Sequence, residues 1–396
     1  MSAATLPLDG ITVVAIEQAI AAPLCTRQLA ELGARVIKVE RRDGGDFARH
    51  YDDRVKGLCS HFVWTNRSKE SLTLDLKHQG AAPVLDRLLE SADVLVQNLA
   101  PAALRKLGLG FDELSRRFEQ LIVCNISGYG EQGPYADKKA YDLLVQAEAG
   151  FLSVTGLPDQ FVKSGISIAD IAAGMQAHGA ILAALIQRGR TGMGSCIDIS
   201  MLEAMVEWMG FPLYYAYDGA EPPARTGSDH ASIYPYGVFT SRDGEVIMLG
   251  LQNEREWRSF CVDVLEAADL VADPRFDSNT ARSENRGELR GIIQLQFATK
   301  SAEEICARLG AAGIAFSHVN DMAGVWNHPQ LRSLQRFIEI ETPQGSVETL
   351  VPPARNNSYE PRLDPVPALG EHTEQLLTEL NFSADEIRQM QQDGVI

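Results

Sequence analysis

Residues 11–42 read ITVVAIEQAIAAPLCTRQLAELGARVIKVERR, and this stretch decides the fold. ITVVAIEQ (11–18) is rich in β-branched residues and follows Gly10, as a strand does. APLCTRQLAELG (22–33) has helical spacing and stops at Gly33, after which ARVIKVERR (34–42) is β-branched again. Strand, helix and strand so close together form a βαβ unit, whose crossover makes the two strands parallel. The alternation continues with a helix at 84–92, a strand at 93–99, a helix at 111–120 and a strand at 121–127. A parallel sheet covered by helices follows: an α/β fold with a large Rossmann-like domain.

IADIAAGMQAHGAILAALIQ (168–187) is apolar on most faces, as expected of a helix buried between layers, and CIDISM (196–201) with 202–217 continues as strand and helix. The texture changes at DGAEPPARTGSDHAS (218–232), where Pro, Gly and small polar residues mark a linker. YGVFTSRDGEVIMLGLQ (236–252) is then a hairpin about an Arg-Asp-Gly turn, with helices near 253–265 and 302–312 and a strand at 314–319. The expected organisation is a large domain over 1–217, a linker over 218–232, and a small α+β domain over 233–325. A return linker and C-terminal part, 326–396, completes the large domain; its last helix carries a capping box from Ser383 to Glu386.

Composition narrows the function. Hydrophobic residues make up 45% and charged residues 22% of 396, as in ordinary globular proteins. A net charge of -17 repels phosphate backbones and anionic lipid, so neither a nucleic-acid nor a membrane partner is expected. A polyanionic ligand would have to be met by a few clustered basic side chains and backbone N–H groups. The six cysteines never form C-x-x-C, and the start MSAATLPLDG has no leader pattern, so a reducing, cytoplasmic setting is expected.

Gly128-Tyr-Gly130-Glu-Gln-Gly133 matches G-x-G-x-x-G, but Pro134 and a polar run follow where a dinucleotide fingerprint needs a helix, so the match is read as a turn. The eight histidines show no H-x-x-x-H spacing and no evident cysteine partner, and no metal is expected. The unusual residue is Asp170, a carboxylate in the first turn of a long apolar helix. Ser167-x-x-Asp170 has capping-box spacing, so the carboxylate is either a cap or a sheltered nucleophile toward an activated acyl group. His178 lies eight residues along the same helix, and a hydrogen-bonded core histidine is its commoner reading.

Taken together, LDGITVVAIEQ, LGARVIKVERRDGGDFAR, NRSKESLTLDLK, ADVLVQNLAPAALRKLGLG, ISGYGEQGP, AYDLLVQAEAG, the Asp170 helix and the C-terminal GEHTEQLLTELNFSADEIRQMQQDGVI resemble the class III CoA-transferases. The resemblance implies that Asp170 is the catalytic aspartate, forming a mixed anhydride and then an aspartyl-CoA thioester, with CoA thioester as substrate and no permanently bound cofactor. It implies CoA contacts at Arg41, Leu74, Asn98, Lys106, Lys139 and Tyr141, and an interlocked, threaded homodimer. Where formyl-CoA transferases carry a run of glycines, this chain has Leu249-Gly-Leu-Gln252-Asn253-Glu254, which leaves Gln252 and Asn253 as amide donors for an oxyanion or, alternatively, Asn253 as a helix cap. The racemases of the same family place a histidine where Tyr141 stands, so transfer is favoured over α-proton exchange, with His178 the only substitute base in view. A non-catalytic CoA-binding scaffold is the third reading. The loop and helix look most like members that use C4 to C6 dicarboxylates, with succinyl-CoA or a related thioester as donor and itaconate, mesaconate, a malate-type acid or hydroxymethylglutarate as acceptor. A distal carboxylate needs a cation, and Arg49, Arg54 and Arg225 in predicted loops are the candidates.

Overall fold

The computed structural model describes residues 5–396. The chain forms two compact units, one comprising residues up to 151, 164–211 and 331–396, the other 152–163 and 212–330. The stretch 152–163 carries no composition signal that separates it from its neighbours, and it forms a short antiparallel pair, Gly156–Leu157 with Gln160–Phe161.

The first unit is built on six parallel strands: β1 (Thr12–Ile16), β2 (Arg35–Glu40), β3 (Lys69–Thr73), β4 (Val94–Gln97), β5 (Ile122–Ser127) and an edge strand Cys196–Ser200. Their order is β3-β2-β1-β4-β5-edge, with Val14 beside Ile37 on one side and Leu95 on the other. The direction of winding reverses between β1 and β4. A crevice therefore opens beyond the carboxyl ends of these strands, the usual ligand position in such sheets.

Helices cover both faces. On one, Val14, Ile37, Leu72, Leu95 and Val123 pack against the helix Ala82–Glu90 and the C-terminal helices Thr373–Glu379 and Ala384–Asp393, and in the last of these both arms of the Ser383–Glu386 capping box are present. On the other lie α1 (Ala21–Glu31) and the long helix Ile168–Thr191. Length and a mean hydropathy of 1.4 would let the long helix span a bilayer. Instead one of its faces packs on α1, β5 and the edge strand.

The long helix approaches α1 at Gly174, where a Cβ would stand 2.6 Å from the carbonyl oxygen of Ala21. Backbone cannot swing aside as a side-chain tip does. Alanine has the better helix propensity by about 1 kcal/mol, yet forced overpacking costs about 1–3 kcal/mol. Gly174→Ala is therefore expected to lower stability by about 1–2 kcal/mol in urea unfolding.

The second unit holds the expected hairpin, Tyr236–Thr240 against Val246–Gly250, with Ala315–His318 as a third strand. Its own core joins Phe239, Ile247, Leu249, Trp257, Phe260 and Phe297, the last from the helix Arg286–Phe297.

Candidate active site

The long helix begins with no side-chain cap from Ser167. The capping duty falls to Asp142, at the start of the helix Asp142–Glu148: its Oδ1 accepts the backbone N–H groups of Ala169 at 2.8 Å and Asp170 at 3.4 Å. Asp142 is itself held, its Oδ2 accepting Gln146 Nε2 at 2.6 Å, while Gln146 Oε1 accepts the N–H of Ser164 at 2.9 Å. The cap reading of Ser167-x-x-Asp170 is thereby corrected, because a distant aspartate does what that spacing suggested. Nothing local in the sequence marks Asp142 for this role.

The Asp170 carboxyl is thus left out of the helix's first-turn bonding, mostly buried, and close to a second negative charge. Burial and the charge of Asp142 push its pKa up to about 7. A carboxylate in that condition is poorly solvated and correspondingly reactive toward an acyl carbon. Tyr51 lies in the same electrostatic neighbourhood, its hydroxyl held protonated by burial and by Asp46 and Asp170.

At the carboxyl ends of β1 to β4 lies a cavity of about 590 Å³, walled among others by Gln18, Arg41, Phe47, Leu74, Leu99 and Lys106. Three of the expected CoA contacts, Arg41, Leu74 and Lys106, therefore share one cavity. Asn98 stands beside it and clamps Gln18, accepting its N–H at 2.9 Å and donating to its carbonyl at 2.8 Å. Lys139 and Tyr141 do not line it, and Tyr141 is 70% exposed at the start of the helix Asp142–Glu148. The Arg41 guanidinium lies 4.3 Å over the Phe47 ring and donates to the carbonyl of Gly45, which presents a flat cationic surface to the cavity.

Acidic side chains also reach this wall, but the buried ones are already neutralised. Glu17 takes Lys69 at 2.7 Å and Lys38 at 3.3 Å, Asp46 takes Lys38 at 2.8 Å, and Arg49 grips both oxygens of Glu40. This pairing lets an acidic chain keep a place for an anion.

A family model, CoA-transferase family III, matches residues 8–373. The chain belongs to CoA-transferase family III. Among relatives, it is 33% identical to a succinate–glutarate CoA-transferase of Agrobacterium fabrum over 94% of this chain and 96% of that one. It is 31% identical to succinyl-CoA:glutarate CoA-transferase of Mus musculus over 98% and 90% respectively. Among solved structures, a CAIB/BAIF family protein from Brucella suis superposes with a TM-score of 0.86 at 32% identity, covering 95% of this chain and all of the other.

Of the remaining candidates in this family III transferase, two of the three arginines are committed elsewhere. Arg49 is paired with Glu40 and lies 3.7 Å over the Phe62 ring. Arg225 donates to the carbonyls of Leu157, Ser153 and Pro158 and lies over Phe161. Arg54 is exposed, and among the described residues its guanidinium has no hydrogen-bond or ion-pair partner. In the second unit Asn253 is a helix cap: its Oδ1 accepts the N–H of Glu256 at 3.0 Å, and its amide donates back to Glu256 Oε1. The backbone N–H of Gln252 is spent on Glu256 Oε2 at 2.8 Å, so only its side-chain amide is left for substrate.

Gln18 was missed by sequence reading. Its Oε1 is buried with no hydrogen-bond partner among the described residues, and the next residue, Ala19, takes a left-handed φ of 65° while its N–H is held by Asp46 Oδ1 at 2.9 Å. An alanine gives no warning of such a backbone. His178 is a poor substitute base for Asp170's site, because eight residues of helix set them about 12 Å apart. It lines a different cavity, with Arg27 and Tyr359, and burial pushes its pKa down. Cys59 stands two residues before His61, and both meet Asp52 with donor atoms within 4.8 Å of one another.

Proposed function

We propose that this transferase moves CoA from succinyl-CoA or a related thioester to a C4–C6 dicarboxylate through a thioester on Asp170. The observation that carries the reading is the Asp170 carboxyl itself, partly buried, raised in pKa and relieved of capping by Asp142. A carboxylate oxygen of Asp170 attacks the donor carbonyl, the C–S bond breaks, and CoA thiolate leaves a mixed anhydride. The thiolate then attacks the aspartyl carbonyl and the donor acid departs as carboxylate. The acceptor carboxylate reverses these steps and returns Asp170 free, with no net change in protons or electrons. What the protein supplies is positioning and exclusion of water, since water would hydrolyse the anhydride.

In this reading CoA lies along the cavity of Arg41, Leu74 and Lys106, with Asn98 setting the Gln18 loop beside it, and Lys139 and Tyr141 contact the thioester arm beyond its wall. Gln252 supplies a side-chain donor to the oxyanion, and Arg54 meets the distal carboxylate of the acid. The relatives named as succinyl-CoA:glutarate and succinate–glutarate CoA-transferases support the substrate class. The working form is a homodimer. Supporting this, Tyr141, Leu144, Ile166 and Met175 of the first unit are about half exposed or more and form apolar surface near the site.

The reading is tested by offering succinyl-CoA and acetyl-CoA with glutarate, itaconate, mesaconate, malate and hydroxymethylglutarate, and detecting new thioesters by mass. A dicarboxylyl-CoA product is expected. Failure with every acid, or α-deuterium uptake from heavy water with no acceptor, overturns it.

The raised pKa sets a pH dependence. Only ionised Asp170 attacks, so the rate of adduct formation with succinyl-CoA is expected to rise about tenfold per pH unit below 7 and level off above it. Single-turnover mass spectrometry across pH 5–9 checks this.

A further inference from the structure

We infer that Asp52, Cys59 and His61 form a binding site for a zinc-type transition-metal ion, distinct from the Asp170 carboxyl. Asp52 Oδ2 lies 3.5 Å from Cys59 Sγ and 3.6 Å from His61 Nδ1. Zinc bonds of about 2.3 Å to sulfur and about 2.0–2.2 Å to nitrogen and oxygen, arranged tetrahedrally, put such donors about 3.6 and about 3.4 Å apart. Two edges of the tetrahedron are therefore already in place. The third closes by a small approach of Sγ and Nδ1, since all three atoms lie within 4.8 Å of one another.

His61 Nδ1 is the second observation. It is buried and has no hydrogen-bond partner among the described residues, although a carboxylate stands near it. Asp52 Oδ2 stands 3.6 Å from it, beyond hydrogen-bond reach and at the spacing of two donors on one ion. The surrounding contacts suit a ligand set. Ser60 donates its N–H to Asp52 Oδ1 at 2.9 Å and its hydroxyl to Oδ2 at 2.6 Å, and the N–H of Arg54 reaches Oδ1 at 3.1 Å, which orients the carboxylate. The Tyr51 ring meets the His61 ring edge-on at 5.6 Å and fixes its plane.

The Cys59 thiol is buried and donates to Asp52 Oδ2 at 3.5 Å. On binding, the S–H bond breaks, the proton leaves to solvent and an S–metal bond forms, so one carboxylate and one thiolate balance the divalent ion. Tyr51, Asp53, Arg54, Lys56 and Gly57, neighbours in sequence, are exposed, so solvent can supply a fourth ligand.

The test uses the reduced, chelator-treated full chain, titrated with Co²⁺ and then Zn²⁺. Co²⁺ is expected to bind at about one equivalent with a thiolate-to-cobalt charge-transfer band, Zn²⁺ to displace it, and Zn²⁺ to raise Tm. Cys59→Ser should remove the band. Cys59 packs in a core cluster with Phe62 and Val63, so His61→Gln, at a part-exposed ring, is the second variant, expected to weaken binding tenfold or more with the fold intact. No charge-transfer band at stoichiometric Co²⁺, or affinity unchanged in His61→Gln, overturns the site. Neither outcome bears on Asp170, whose adduct is read separately.

Discussion

Asp170→Asn is expected to bring CoA exchange to background, a loss of about 10⁴-fold or more, while CoA still binds the folded protein. The amide matches the carboxylate in shape and lacks the nucleophilic oxygen pair. No thioester or anhydride adduct should appear by mass after incubation with succinyl-CoA. Stability should move the other way. Because the folded pKa is raised to about 7 against an ordinary value near 4, the native state binds more protons than the unfolded chain between those values. Asp170 therefore lowers stability progressively as pH rises from about 4 to about 7, and its cost is level above that. Asp170→Asn is accordingly expected to melt higher than the parent at pH 8, with the difference vanishing near pH 4. Substantial exchange by the variant would remove the covalent mechanism, and a lower Tm at pH 8 would mean that Asp170 supports the fold instead of straining it.

Lys38→Met should be the most damaging structural change, at about 3–5 kcal/mol. Lys38 and the two carboxylates it serves, Glu17 and Asp46, have fully buried side chains. Its ammonium is held charged by Glu17 and Asp46 despite burial. Removing it leaves Asp46 without its ion pair while Glu17 retains Lys69. Asp46 also holds the N–H groups of Ala19 and Ala48, so the loop carrying Gln18 would loosen with it. The loss is read from urea unfolding at pH 7. It should shrink as pH falls toward 5, because an orphaned buried carboxylate takes up a proton more readily than a paired one. A variant within about 1 kcal/mol of the parent would show that the buried network adds little net stability.

Much of the first unit was legible because its strands are buried on both faces and read as β-branched runs, such as TVVAI in β1 and VLVQ in β4. The strand β3 was not. Its sequence KESLT is mostly polar and shows no β-branched run, and Lys69 is accommodated by Glu17, Pro23 and Asn66 in the interior, the first two 52 and 46 residues away. Asp170 could be singled out from sequence as a charge where a helix is otherwise apolar. Whether it was a cap or a nucleophile could not be read, since the residue that releases it, Asp142, lies 28 positions earlier.

The same division holds for the ligand-binding residues. Residue type nominated Arg49, Arg54 and Arg225 equally, and partners distinguished them: a carboxylate for Arg49, three carbonyls for Arg225. Periodicity and turn chemistry are local, and by themselves they determined the elements, the parallel sheet and the unusual helix carboxylate. Burial and electrostatic pairing depend on groups brought together by the sheet order. Only the tertiary structure could therefore decide which charges are spent on each other, which backbone is held left-handed, and which carboxylate is left reactive.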